Sequence, residues 1–469
     1  MMPAHNKLAR RQANLSDAEC VGPIVGTSRI QAAVGQLAAA VFLLSLLPTA
    51  AAHGQGMVGE TRCGNPTCHG ASLPSAPADD PTWKPWKSAR TQWLNSNIDR
   101  HSRAYRTLTS EDSKRIAAYM GIEATKSTKC LVCHAPPAAA AAGSKYKVTE
   151  GVTCEHCHGP AERWLDVHKA TDWPKKRAGF PGFVNLNEFG ARADKCASCH
   201  VEIDHEIVAG GHPPLQFEMV AYAQVMKHWD DSDEHPGVSP DPALWALGQI
   251  VGLRDAVAAI AHRAGGENYQ SLGAFHGFKD ANCYQCHHKL VEDATRQAQG
   301  HADMVEIIMG AMFPDAKGQL TGRWKDLEAA VRSSAAAAQQ KATDLRAWLA
   351  PFEGRVLASP PDRAVTRRML QQILDSGATL GAYRTFTHGR QPRSNVERVG
   401  NVDLPWWYTT GAREQTALAI QALCPPAFDN TACAAIFPEL KRLVESIDRA
   451  EQNPGAFNAA LSAIKTKLF

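Results

Sequence analysis

One five-residue pattern recurs along this chain of 469 residues and limits what the chain can fold into. Cys-x-x-Cys-His stands at Cys130, Cys133 and His134, at Cys154, Cys157 and His158, at Cys196, Cys199 and His200, and at Cys283, Cys286 and His287. A further copy, Cys-Gly-Asn-Pro-Thr-Cys-His, is stretched to four intervening residues and holds Cys63, Cys68 and His69. With 13 cysteines and 19 histidines in the chain, composition alone would produce one such pattern roughly once per hundred chains of this length. Chance is excluded.

Cys-x-x-Cys-His is the attachment signature of haem c. Two thiols at this spacing straddle one porphyrin edge and add to its two vinyl groups. The adjacent histidine then swings beneath the ring as the proximal iron ligand. A structural zinc site would need four clustered nitrogen or sulfur ligands and would pair two Cys-x-x-Cys elements. Here every dithiol carries its own histidine at the same offset, so each is complete as a haem site. A thioredoxin-like dithiol would occur once, beside a βαβ pattern. The expectation is five covalently held haem c groups, the stretched copy bulging to bring both sulfurs to its ring.

Haem c is attached outside the cytoplasm, so an export signal is expected. Residues 30–52 form an apolar run after Arg29, closing on Pro48 and small residues. Ala50 and Ala52 fit an A-x-A cleavage site with His53 as the first mature residue. Retained, the same run would be an N-terminal anchor and membrane tether. No later stretch reads as a membrane span. The expected location is the periplasm. A formal net charge of +3 gives no case for nucleic acid, and the charge runs at 174–177 and 230–234 read as solvated loops or docking patches for a redox partner.

The mature chain divides by composition. Residues 53–300 carry all five motifs, with many Gly and Pro residues and few periodic segments. Such a region builds its apolar core from porphyrins more than from side chains. Residues 301–469 read as an antiparallel helical bundle or helical repeat. Trp324, Leu327, Val331, Leu345 and Trp348 recur at helical spacing. Val365, Met369 and Ile373 mark a helix stopped by Gly377, and Phe437, Leu440, Val444 and Ile447 mark the face of another. No strand pattern is evident, so the expected fold class is mainly α: a multihaem cytochrome domain with little sheet, then a helical domain. Cys424 and Cys433 flank a Pro-containing loop between two expected helices, and an oxidising compartment favours a disulfide between them.

Each proximal histidine leaves one axial position of its iron to fill. A second histidine makes an electron-transfer haem, and an open position makes a reaction site. His101, His168, His205, His212 and His276 are the candidate distal ligands, because they cluster among the motifs. His228, His262 and His288 are reserves. His156, inside an attachment loop, reads as an exposed residue, and His388 as structural.

The order of these motifs resembles the cytochrome c-554 family, whose founding member is a tetrahaem electron carrier. The stretches TRCGNPTCH, KCLVCH, GVTCEHCHGP and KCASCH carry the resemblance, with His101 and His168 in the places of distal ligands. It covers about residues 57–290 and implies stacked and perpendicular haem pairs. The stretched first motif, the fifth haem and the helical half depart from the founding pattern. The expected function is electron transfer between redox partner proteins. The alternative is an oxidoreductase acting on a small nitrogen or sulfur compound at one open haem, with a small-molecule substrate in place of a second partner.

Overall fold

A 25-residue helix from Asp241 to Gly265 is the centre of the structure, and the periodicity of the sequence gives no sign of it. Every residue from Pro242 to Leu253 is buried, so there is no polar face and no amphipathic pattern to read. A helix that is apolar all round belongs inside a protein or a membrane. By length and composition this one could cross a bilayer, contrary to the expectation that no later stretch could, but most of it is buried within the fold.

The computed structural model describes residues 56–73, 84–95, 98–136, 144–201, 240–265, 296–380, 396–399, 402–405, 412–448 and 454–469, with 203, 207, 210–212, 215, 217–226, 228 and 229 between them. The export segment with its cleavage site, the fifth motif (Cys283, Cys286 and His287), and His205, His276, His288 and His388 lie outside the described residues.

Residues 54–469 form one compact unit. Its first part is a run of short helices: α1 (Glu60–Cys63), α2 (Ala89–Leu94), α3 (Ala104–Thr107), α4 (Glu111–Tyr119), α5 (Thr128–His134), α6 (Cys154–His158), α7 (Trp173–Lys176), α8 (Phe189–His200) and α9 (Met219–Val225). Apolar clusters here are small. One gathers Leu108, Ala117 and Ala124, another Ala161, Trp164 and Trp173.

The second part is a helical layer: α10 (Asp241–Gly265), α11 (Arg296–Met312), α12 (Pro314–Ser333), α13 (Ala335–Ala358), α14 (Arg363–Leu380), α15 (Ala412–Ala427), α16 (Asn430–Ala435), α17 (Phe437–Asp448) and α18 (Pro454–Leu468). Helix α10 packs against α8, α9, α11, α13 and α15. Its Trp245, Leu247, Ile250 and Leu253 are fully buried, each such side chain contributing roughly 1.5–3 kcal/mol. The expected domain boundary at 300/301 falls within α11, and α10, which precedes that boundary, is the core of the layer that follows it.

Helix α8 ties the two parts together. Phe189, Ala193 and Ala197 on it join the main apolar core. On α10, Arg254 donates to Asp194 of α8 at 2.7 Å and to Glu353 of α13 at 2.8 Å. Burial works against its charge, but Asp255, Asp194 and Glu353 outweigh it and hold the guanidinium protonated.

Local details depart from the sequence reading for identifiable reasons. The Ala-rich stretch breaks at Ser334, an extended residue whose hydroxyl caps α13 by accepting from the Ala337 N–H at 3.2 Å. Helix α14 does not stop at Gly377 but continues to Leu380, since an isolated glycine costs a helix only about 1 kcal/mol. Leu440, Val444 and Ile447 are buried on α17, whereas Phe437, the first residue of that helix, is 43% exposed. The fold is mainly α, with one described antiparallel hairpin that the sequence reading lacked. Its strands are β1 (Val396–Val399) and β2 (Val402–Pro405), in a register that pairs Val399 with Val402.

Cys424 in α15 and Cys433 in α16 form a disulfide, with α-carbons 5.8 Å apart. Closing a ring of ten residues should stabilise the layer by about 2–3 kcal/mol on the loop-entropy relation. Replacing both cysteines with serine should lower the unfolding free energy by that amount in denaturant titration. Thiol labelling of the denatured, unreduced protein should find neither cysteine free.

Candidate functional site

The regular attachment motifs are helical turns. Cys130 to His134 close α5, Cys154 to His158 make up α6, and Cys196 to His200 end α8. A helix brings residues three and four apart onto one face, so both thiols and the histidine project together. The stretched motif needs another solution. Helix α1 ends at Cys63, and the Asn65 carbonyl accepts from the Cys68 and Gly70 N–H groups at 2.8 and 3.0 Å. The Asn65 side-chain oxygen accepts from the Thr67 N–H at 2.9 Å and its hydroxyl at 2.8 Å. The extra residues are absorbed in an Asx-type turn.

Each described proximal histidine faces a second histidine from a distant part of the chain. The ring centroids of His69 and His168 are 6.2 Å apart, as are those of His101 and His200, and of His134 and His212. Those of His158 and His228 are 6.4 Å apart. An imidazole nitrogen lies about 2 Å from a metal it ligates and the ring centroid about 1 Å further out, so two axial rings on one metal have centroids roughly 6 Å apart. None of these pairs is close enough for a direct hydrogen bond between its ring nitrogens to explain the spacing. The residues fit haem c: two thiols and two axial histidines at each of four sites, numbered here by motif order.

Electrostatics keeps these rings in the ligating form. Burial pushes His158, His200 and His228 down to about 4, and it also lowers His134 and His168. A neutral imidazole has a lone pair for a metal, and an imidazolium has none. His101 goes the other way: burial lowers it, but the Asp99 carboxylate bonded to it gives a net rise.

The second ring nitrogen fixes each ring's orientation. His69 Nδ1–H donates to the Trp86 carbonyl at 2.8 Å, His134 to that of Ala104 at 2.9 Å, and His168 to that of Leu165. His101 Nδ1–H donates to Asp99 Oδ1 at 2.8 Å. His158 lies flat against Phe183, with ring centroids 6.0 Å apart, and its Nδ1 has no hydrogen-bond partner among the described residues.

The stretch GVTCEHCHGP is the structural node between sites. Gly151 has φ +70, and a β-carbon there would meet the His101 carbonyl at 2.7 Å. The next N–H, of Val152, donates to that carbonyl at 3.1 Å. Glu155 is buried and accepts from the N–H groups of Val58, Gly59 and Ala161 at 2.9, 2.9 and 2.7 Å. His156 is half-buried, not exposed as expected. Its Nδ1 accepts from the Thr153 N–H at 2.8 Å, and its Nε2–H donates to the Pro136 carbonyl at 2.9 Å. It clamps its attachment turn to the end of the preceding one.

The attachment points adjoin one another. The Cys63 and Cys154 thiols lie in interacting range, and so do those of Cys133 and Cys199. Cys157 lies within electrostatic reach of Cys196. The order in space is therefore first, third, fourth, second.

Of the expected distal ligands, His101, His168 and His212 lie opposite proximal histidines. His228, a reserve in the sequence reading, takes the place opposite His158, while His262 is exposed on α10. Asp99 was not singled out; its only sequence signal is an acidic residue two positions before a ligand histidine. His301 was also passed over. It is buried in the helical layer, where its Nδ1–H donates to Gln249 Oε1 at 2.8 Å, and burial pushes it down to about 4.

Residues 85–159 match the family model described as cytochrome c554 and c-prime. That stretch holds Asp99, His101 and the second and third motifs. No curated protein and no solved structure matches the chain.

Replacing His228 with Ala should open the third site, giving a partly high-spin ferric spectrum and cyanide binding, while His262→Ala should leave the spectrum unchanged. Ring planes supply a second check. The His69 and His168 rings are 15° from parallel, and the other three pairs cross at 70–90°. In electron paramagnetic resonance of the ferric protein, these four sites should contribute one rhombic low-spin signal and three of the large-anisotropy type that crossed axial rings produce.

Proposed function

For a c-type cytochrome that carries a cytochrome c554-family segment, we propose the role of a multihaem electron carrier of the periplasm, exchanging electrons between redox partner proteins. The observation that carries the reading is the set of four histidine pairs at 6.2–6.4 Å, each beside its own attachment cysteines. A site with both axial positions taken by histidine has no open coordination for a substrate. This favours a carrier over an oxidoreductase.

The residues that would hold the groups are Cys63, Cys68, His69 and His168 at the first site, and Cys130, Cys133, His134 and His212 at the second. Cys154, Cys157, His158 and His228 serve the third, and Cys196, Cys199, His200 and His101 the fourth. The fifth attachment, at Cys283, Cys286 and His287, rests on its motif alone. Bound there, haem c supplies one-electron exchange between ferric and ferrous iron.

The protein's part is to hold ligands still and exclude water. Carbonyl and carboxylate acceptors fix the orientation of four of the rings, and Phe183 backs a fifth. Trp93 donates to the Val152 carbonyl at 2.8 Å and anchors the node stretch from outside. The adjoining cysteines of successive sites support a continuous conductor, since electrons pass readily only between groups in near contact. Export is supported by the chemistry of attachment and by the disulfide, which an oxidising compartment maintains. The apolar run at 30–52 is the proposed export signal or tether.

Intact-mass measurement of the mature protein should give five haems on a chain beginning near His53, and Cys68→Ala should remove or weaken one of them. The ferric spectrum decides between carrier and enzyme. A wholly low-spin spectrum upholds the carrier, whereas a high-spin component in the wild-type protein would move the reading to a reaction at the fifth site.

A further inference from the structure

An axial histidine gives one ring nitrogen to iron and the other to the protein. The acceptor on that second nitrogen sets how much negative charge the ligand carries, and so tunes the metal. At the first and second sites the acceptors seen are backbone carbonyls, those of Trp86, Leu165 and Ala104. At the third, His158 Nδ1 has no partner among the described residues. The fourth site differs in kind. His101 Nδ1–H donates to a carboxylate, Asp99 Oδ1, at 2.8 Å, and the His101 backbone N–H donates to the same oxygen at 2.9 Å.

The carboxylate is well placed to act. The Asp99 side chain is only 6% exposed, so solvent screens its field little. Two bonds from His101, from its ring and its backbone N–H, hold that oxygen against the ring, and the ring bond is of the charge-assisted type, about twice as strong as one to a neutral acceptor. Ferric haem carries one more positive charge than ferrous haem. An anionic acceptor on the ligand therefore stabilises the ferric form more, and it does so more than a carbonyl can. Asp99 also reaches His228 at the third site electrostatically, but through space and alongside the opposing Arg192 guanidinium.

We propose that Asp99 is a positioning residue that tunes the fourth site, bonding His101 so that its haem has the lowest reduction potential of the four described. The proposal rests on the haem-carrier reading above. Removing the charge should shift that haem's equilibrium about tenfold toward the ferrous form, which is 59 mV for one electron. The third site should move less, in the same direction.

The test is a potentiometric titration of the full holoprotein, followed by electron paramagnetic resonance. His101→Met identifies the fourth-site signal by removing it from the bis-histidine set. If no signal is lost in that variant, the assignment of His101 as a ligand fails, and the carrier reading of this site fails with it. With the signal identified, Asp99→Asn should leave it low-spin and raise its potential by about 59 mV, a tenfold change in the one-electron equilibrium. An unchanged potential in a low-spin Asp99→Asn protein overturns the proposal, as does a wild-type fourth site that is not the lowest of the four. If Asp99→Asn frees His101 and the signal turns high-spin, Asp99→Glu decides. A low-spin fourth site near the wild-type potential upholds the tuning role, and a low-spin site at a raised potential overturns it.

Discussion

Two imidazoles that share one metal must stand at a fixed separation, and among the described residues of 56–229 four pairs of histidines stand at about that separation. Every pair joins histidines far apart in the chain, and the pairs interleave: His69 with His168, His101 with His200, His134 with His212, His158 with His228. No short segment can form a site alone. Among the described residues before α8, the apolar clusters are small, such as Leu108, Ala117 and Ala124. On the haem-carrier reading, cohesion in this part depends on what the histidines hold in common, whereas the part that follows coheres through ordinary side-chain burial around α10.

These two modes of cohesion meet at α8. Its last turn carries Cys196, Cys199 and His200, and its earlier turns present Phe189, Ala193 and Ala197 to the core of the helical layer. The Arg254 ion pairs reinforce the junction from the α10 side. The fourth site is thus built on a helix whose other residues are fixed in a conventional core. Its opposite ligand, His101, comes from a 3₁₀ turn with little packing of its own, held by the bonds to Asp99 and Val152.

What the sequence disclosed follows the range of the chemistry. The attachment motifs stood out because covalent bonding to one porphyrin would impose a local spacing, and four of the five motifs keep it. The histidines that face the motif histidines stood out only as a crowd near the motifs, since tertiary structure chooses among them. His228 illustrates the limit, as nothing local distinguishes it from His262. Cys424 and Cys433 were readable because their loop is short. Helix α10 was not, because periodicity reveals a helix only when one of its faces meets water. Ser334 interrupts an Ala-rich run through a cap that propensity alone does not reveal, and Gly377 failed as a stop because a single glycine costs a helix only about 1 kcal/mol.

Gly151 shows how closely two of the sites are joined. By sequence it belongs to the stretch that bears the third motif, three residues ahead of Cys154, yet its α-carbon rests on the carbonyl of His101, the ligand opposite His200. Its positive φ and the lack of space for a β-carbon leave glycine as the residue that suits both requirements. A side chain there would push on the backbone of a neighbouring centre while leaving its own attachment chemistry intact. In a genetic screen such a lesion would map to one motif and show the phenotype of another.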